Sequence, residues 1–140
     1  MLLEKLECEE LTDLGDQVVD SARRVFQRLG AEHPREAYLA ALCQELDARE
    51  ISYRREVWLA DTLHGMPLNT GYVLDLEVGG RLLISVVAAS QTAHEDSARL
   101  LTMLHLSGQH LGYVVNFAAR NFEEAVRQVY YDAKPVCPGV

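Results

Sequence analysis

The sequence predicts an α/β domain with one four-stranded mixed sheet flanked by helices, in the order α-α-β-β-β-α-β-α. Three observations carry this expectation. Apolar residues recur at three- and four-residue spacing through the first third of the chain. Two β-rich runs then face each other across Gly79-Gly80, and a polar-capped helical pattern separates the second of them from another apolar run. A strand, a helix and a further strand in that order imply a parallel pair with a right-handed crossover, so the sheet is mixed.

The elements follow in order. Leu14, Val18, Val19, Ala22, Val25, Phe26 and Leu29 form one stripe of an amphipathic helix over about Leu11 to Leu29, closed by Gly30. His33-Pro34 opens a second helix, whose stripe is Ala37, Tyr38, Ala41, Leu42 and Leu46 and which ends near Arg49. Ile51 to Asp61, with Tyr53, Val57, Trp58 and Leu59, favours a strand, and Arg54-Arg55-Glu56 suggests an edge or a solvated face. Turn residues from His64 to Gly71 lead into the hairpin of Gly71 to Ala89. Thr92 and Glu95 resemble a capping box for a helix ending at Ser107-Gly108. Leu111 to Ala119 reads as the fourth strand, and Phe122, Ala125, Val126 and Val129 as a last helix. Pro135 and Pro138 mark a loose tail. A length of 140 residues fits a single domain, 1–140, with its core at about 11–131.

Composition narrows the function classes. A formal charge of -8, with Lys5 and Lys134 the only lysines, disfavours nucleic acid as a general partner, because phosphate contacts need clustered cations. No apolar run approaches the roughly 18 residues of a membrane span, and the acidic MLLEKLECEE start is unlike a signal peptide, so a cytoplasmic location is expected. Cys8, Cys43 and Cys137 lack CxxC spacing, and His33, His64, His94, His105 and His110 lack HxxxH or HExxH spacing, so no zinc site is signalled. Ser85 has no evident His and acid relay, and Gly79-Gly80 is a turn pair without phosphate-loop spacing. Cys43 and Tyr38 read as core residues, the tyrosine with its hydroxyl on a polar partner. Asp75 is the feature to explain, since a carboxylate inside a core hairpin is costly unless paired, hydrogen-bonded or holding a metal.

These stretches resemble a known family. Leu29-Gly30, Arg35-Glu36-Ala37-Tyr38, Gly71-Tyr72-Val73-Leu74-Asp75-Leu76, Leu83 to Ala89, His94 to Gly108 and Leu111 to Phe117 are similar to the corresponding text of the GxxExxY proteins of the PD-(D/E)XK nuclease superfamily. The likeness spans about Leu14 to Tyr131 and runs without a gap from Gly71 to Gly108. It implies a restriction-endonuclease-like core and, in members with an intact site, phosphodiester hydrolysis with carboxylate-held Mg²⁺ and a lysine.

The residues for that chemistry are mostly missing. Asp75 matches the strand-two aspartate, whereas the strand-three glutamate position holds Ser85 and the lysine position Val87. With Tyr38 in register, the motif's glutamate falls on Arg35 and its glycine on Glu32, and the helix glutamine falls on Arg99. Glu36 is a rotation of about 100° away along its helix, leaving Glu77 and Glu95 as candidate second carboxylates. Where the family pattern has three acids and one lysine, net -2, this chain has Asp75, Arg35 and Arg99, net +1. A site with that charge should repel Mg²⁺, and Asp75 is expected to pair with Arg35 or Arg99.

The expectation is therefore a catalytically degenerate nuclease-like protein, a pseudoenzyme with no cofactor, that binds a protein partner or itself. Arg35 and Arg99 form a possible anion-binding pair, and His94 is the histidine nearest the site. The alternatives are a residual Mg²⁺-dependent nuclease using Asp75 with Glu77 or Glu95, and a non-cleaving phosphate or nucleic-acid binder using the two arginines.

Overall fold

The computed structural model describes residues 2–58, 73–89 and 93–131. Its elements are α1 (Leu2–Leu29), α2 (Arg35–Ala48), β1 (Tyr53–Trp58), β2 (Val73–Val78), β3 (Leu82–Val87), α3 (Ala93–Ser107), β4 (Leu111–Asn116), a single turn α4 (Phe122–Ala125) and β5 (Val126–Tyr130). The segment 59–72, with His64, Gly71 and Tyr72, lies outside the described residues, as do Thr92 of the expected capping box, the Pro135–Pro138 tail and the side chains of Trp58 and His94. Among the described residues no helix is long and apolar enough to cross a membrane.

The strands lie in chain order, β1-β2-β3-β4-β5. Only β3 and β4 are parallel, joined through α3, and every other neighbouring pair is antiparallel. This gives the expected mixed α/β sheet between helices, with one correction. Among the described residues the sheet has five strands, because Val126–Tyr130 forms an edge strand on β4 where a helix was expected. Val126 and Val129 stand three apart, a spacing that suits one helix face and equally suits opposite faces of a strand. Val126 packs on the α1/α2 side and Val129 on the α3 side. Without β5, the buried strand β4 would present a row of unpaired N–H and C=O groups. α1 also begins earlier than Leu11, and its first residues, Leu-Leu-Glu-Lys-Leu-Glu, are strong helix formers with no breaker.

One core lies on each face of the sheet. Val18, Ala22 and Val25 of α1 and Tyr38, Leu39, Leu42 and Leu46 of α2 pack on Leu76, Leu82, Ile84, Val86 and Tyr113. Leu100, Met103 and Leu104 of α3 cover Leu74, Leu83, Val114 and Val129 on the other face. Burial on both faces explains why β3 reads as an apolar run rather than as an alternation. Tyr38 is buried and stacks on Phe117 at 4.6 Å, while its hydroxyl donates to the Gly30 carbonyl at 2.6 Å. Cys43 is a buried free thiol.

Two backbone details bear on the sequence. Gly79 and Gly80 both have positive φ, as the hairpin turn requires. Glu32, at the position where the resemblance puts a glycine, has φ 71°. That left-handed conformation costs a residue with a Cβ about 1–2 kcal/mol. Glu32→Gly should therefore raise stability by roughly 0.5–1 kcal/mol in urea melts, part of the relief being offset by the entropy of the unfolded glycine. Gly112 illustrates the opposite case, since a Cβ there would lie 2.8 Å from the Leu83 carbonyl oxygen and 3.0 Å from Leu100 Cδ2. Gly112→Ala should destabilise by about 1–3 kcal/mol, read as a lower thermal midpoint.

Candidate functional site

The site begins where the sheet opens. β1 follows β2 as far as Trp58↔Val73, and β3 follows β4 as far as Val87↔Asn116. Between these two pairs, β2 and β3 are in register only at Leu76↔Ile84, Glu77↔Leu83 and Val78↔Leu82. They part beyond Leu76, and Asp75 is the first residue past the split. Leu74 and Leu76 have the same parity yet belong to opposite cores, so the strand turns over at Asp75. Across from it on β1, Glu56 has φ 52°.

Parting leaves the backbone of Val86, a buried residue, without a β2 partner. Two side chains take over. The Val86 N–H donates to Asp75 Oδ2 at 2.7 Å, and the Val86 carbonyl accepts from Arg35 Nε at 3.0 Å. Arg35 Nη2 donates to Asp75 Oδ1, which closes a ring of three hydrogen bonds. Arg35 reaches this point as the first residue of α2, after Pro34, whose extended backbone starts the helix. The helix dipole disfavours a cation at that position. Neighbouring acceptors hold it there instead, because Glu36 Oε1 accepts from Arg35 Nη1 at 2.7 Å.

The ring lies on a cleft of about 420 Å³ lined by Arg35, Asp75, Ser85, Val87 and Arg99, with Val73, Val86, Ala88, Ala89, Asp96 and Met103. The five residues singled out from the sequence thus share one cleft. The two candidate second carboxylates do not line it. Glu77 is buried and held by Arg54, whose Nε lies at 2.9 Å and Nη2 at 2.5 Å, and Glu95 is exposed on α3. Asp96, which the sequence reading passed over, lines the cleft instead. Its position one residue after Glu95 was the available signal, since consecutive helix residues differ in direction by about 100°. With Asp96 included, two arginines and two aspartates bring the formal charge of the lining to zero, not +1.

A family model of the PD-(D/E)XK nuclease superfamily matches residues 12–129. The chain belongs to that superfamily. No curated protein and no solved structure matches it.

Hydrolysis by the superfamily, as the resemblance implies it, needs a divalent cation, and the residues here do not suit one. Both Asp75 oxygens already accept hydrogen bonds, one of them from a cation. The strand-three positions carry a hydroxyl and an isopropyl group, and Arg99 lies close enough to act on the Asp75 charge. Among the described residues, no three His, Cys, Asp or Glu side chains are grouped so as to hold a metal ion.

Burial pushes the Asp75 carboxyl above the usual carboxylate range, and this outweighs the opposite pull of the Val86 N–H, Arg35 and Arg99. Asp96 is likewise raised by burial and by Glu95. A carboxyl raised on folding binds protons more tightly in the native state. The Asp75 contribution to stability is therefore greatest in acid and declines as pH rises from the unfolded carboxylate value through the folded one. In Arg35→Ala one lowering influence is gone. The Asp75 midpoint, followed by ¹³C NMR of the side-chain carboxyl, should move further up, and the decline in stability should extend to higher pH.

Proposed function

We propose that this chain is a non-cleaving member of the nuclease superfamily, close to the GxxExxY proteins, and that it works as a binding domain for a protein partner or a second copy of itself. The observation that supports this is the occupancy of Asp75. Its two oxygens are taken by Arg35 and by the Val86 N–H, at the point where hydrolysis would need them open to a metal ion.

The charge distribution favours protein over nucleic acid. The chain carries a net charge of -8. Among the described residues, Arg24, Arg28, Arg35, Arg49, Arg54, Arg55, Arg81 and Arg120 lie within 4.0 Å of a carboxylate. Cations committed to internal or surface pairs contribute little to a phosphate-binding field, and the cleft itself is formally neutral.

The test is incubation of wild type and Asp75→Ala with Mg²⁺ or Mn²⁺ and labelled single- and double-stranded DNA and RNA. The expected result is the same uncut substrate for both proteins, and no salt-sensitive retention of nucleic acid at low ionic strength. Metal-dependent cutting that disappears in Asp75→Ala would overturn the reading. Salt-sensitive binding lost in Arg99→Ala would instead assign the cleft to an anion.

A further inference from the structure

Every nitrogen of the Arg35 guanidinium has its own oxygen acceptor: Nε the Val86 carbonyl at 3.0 Å, Nη1 the Glu36 carboxylate at 2.7 Å and Nη2 the Asp75 carboxylate. The acceptor that carries most of the geometry is itself braced, since Asp75 Oδ2 is fixed by the Val86 N–H at 2.7 Å. The acceptors come from three elements, the α2 start, β2 and β3. Burial is uneven across the group, with the Asp75 side chain 16% exposed and that of Arg35 38%. The carboxylate is thus largely withdrawn from water while the cation is approached from the open cleft.

We infer that Asp75, the Val86 carbonyl and Glu36 make up a guanidinium-binding site whose ligand is supplied by the chain's own Arg35, and that the site will take a free guanidinium-type cation when that side chain is truncated. The inference rests on the reading of Asp75 as an occupied, non-catalytic carboxylate. The specificity follows from shape. A planar fork of N–H donors meets acceptors spread around its edge, whereas an ammonium ion is a point charge without a fixed fork. Mg²⁺ asks for six oxygens in a near-octahedral shell, and here one carboxylate oxygen is already turned to an N–H.

The function of the occupied site is structural. The guanidinium ties the first turn of α2 to both strands at the point where they separate, and with Asp75 it satisfies the two Val86 backbone groups that the missing ladder leaves over. The ligand is therefore always present, and its effective concentration is set by the helix rather than by the solution.

The experiment compares thermal midpoints of wild type, Arg35→Ala and the Arg35→Ala, Asp75→Asn double variant in buffer, millimolar methylguanidinium, millimolar methylammonium and millimolar Mn²⁺. Arg35→Ala should lose about 5–10 °C, as expected when one partner of a partly buried pair is removed. Methylguanidinium should recover part of that loss in Arg35→Ala only, and neither methylammonium nor Mn²⁺ should do so. Absence of recovery, equal recovery by methylammonium or Mn²⁺, or recovery that survives in the double variant would overturn the inference. Should Arg35→Ala not fold, ¹⁵N NMR of the wild type decides. The Arg35 Nε–H should exchange more slowly than the arginine Nε–H groups of exposed side chains and lose that protection in Asp75→Asn, and an unprotected Arg35 signal would overturn it. Cutting of nucleic acid by the wild type would sink the non-cleaving reading without touching the rescue, whereas failed rescue without cutting would sink this inference alone.

Discussion

The structure turns on the two backbone polar groups of Val86. In a regular hairpin they would meet β2, but β2 and β3 stay paired for three residues and then diverge. A buried N–H or C=O left without a partner costs about 1–3 kcal/mol each, so the opening can persist only if something else meets those groups. Asp75 accepts from the N–H and Arg35 donates to the C=O. The same pair that looks like an ion bridge across a cleft is thus also the continuation of the sheet by side chains. This accounts for a carboxylate inside a core strand more fully than charge pairing alone. The desolvation that raises the Asp75 carboxyl is tolerated because the group completes main-chain hydrogen bonding at the split.

Elsewhere the packing holds this opening in place. α1 and α2 cover one face of β3 and α3 covers the other, so the strand that bears Ser85, Val86 and Val87 is fixed from both sides. Tyr38, one helical turn beyond Arg35, is anchored by stacking on Phe117 and by its bond to the Gly30 carbonyl. Such an aromatic pair contributes about 0.5–1.5 kcal/mol beyond area burial. Its effect here is to set the position of the α2 start, and hence of Arg35. Two residues further along β2, Arg54 holds Glu77 as Arg35 holds Asp75, so each carboxylate of β2 is met by an arginine from a neighbouring element.

Much of this was legible in the chain because periodicity and turn chemistry act locally. The hairpin at Gly79-Gly80, the helices of the first third, and the β3-α3-β4 crossover all follow from patterns within a dozen residues. The fifth strand was not legible, since Val126 and Val129 satisfy a helix and a strand alike and the deciding influence is the open edge of β4, a non-local demand. The same division runs through the site. Arg35 and Asp75 could be matched by register, and the structure pairs them. Glu77 looked available because two residues along a strand suggest a shared face, but Arg54 comes from a separate strand and claims it. Asp96 was overlooked because which residue of a helix's first turn faces a cleft depends on how the whole helix is rotated on the sheet.

A cation between an aspartate and a main-chain carbonyl can be a metal ion or a guanidinium, and the difference decides what chemistry remains. A bound metal keeps positions for water, lowers the pKa of that water and polarises a phosphoryl oxygen. A guanidinium offers N–H donors only, stays protonated at any physiological pH and has no vacant coordination position. Holding the cation by a covalent tether removes the dependence on metal supply and the cost of ordering an ion from solution. A guanidinium held in this way offers no coordination position at which a water could be activated. The geometry around Asp75 thus ties the parted strands together through a single residue, Arg35, standing where the family resemblance places a glutamate.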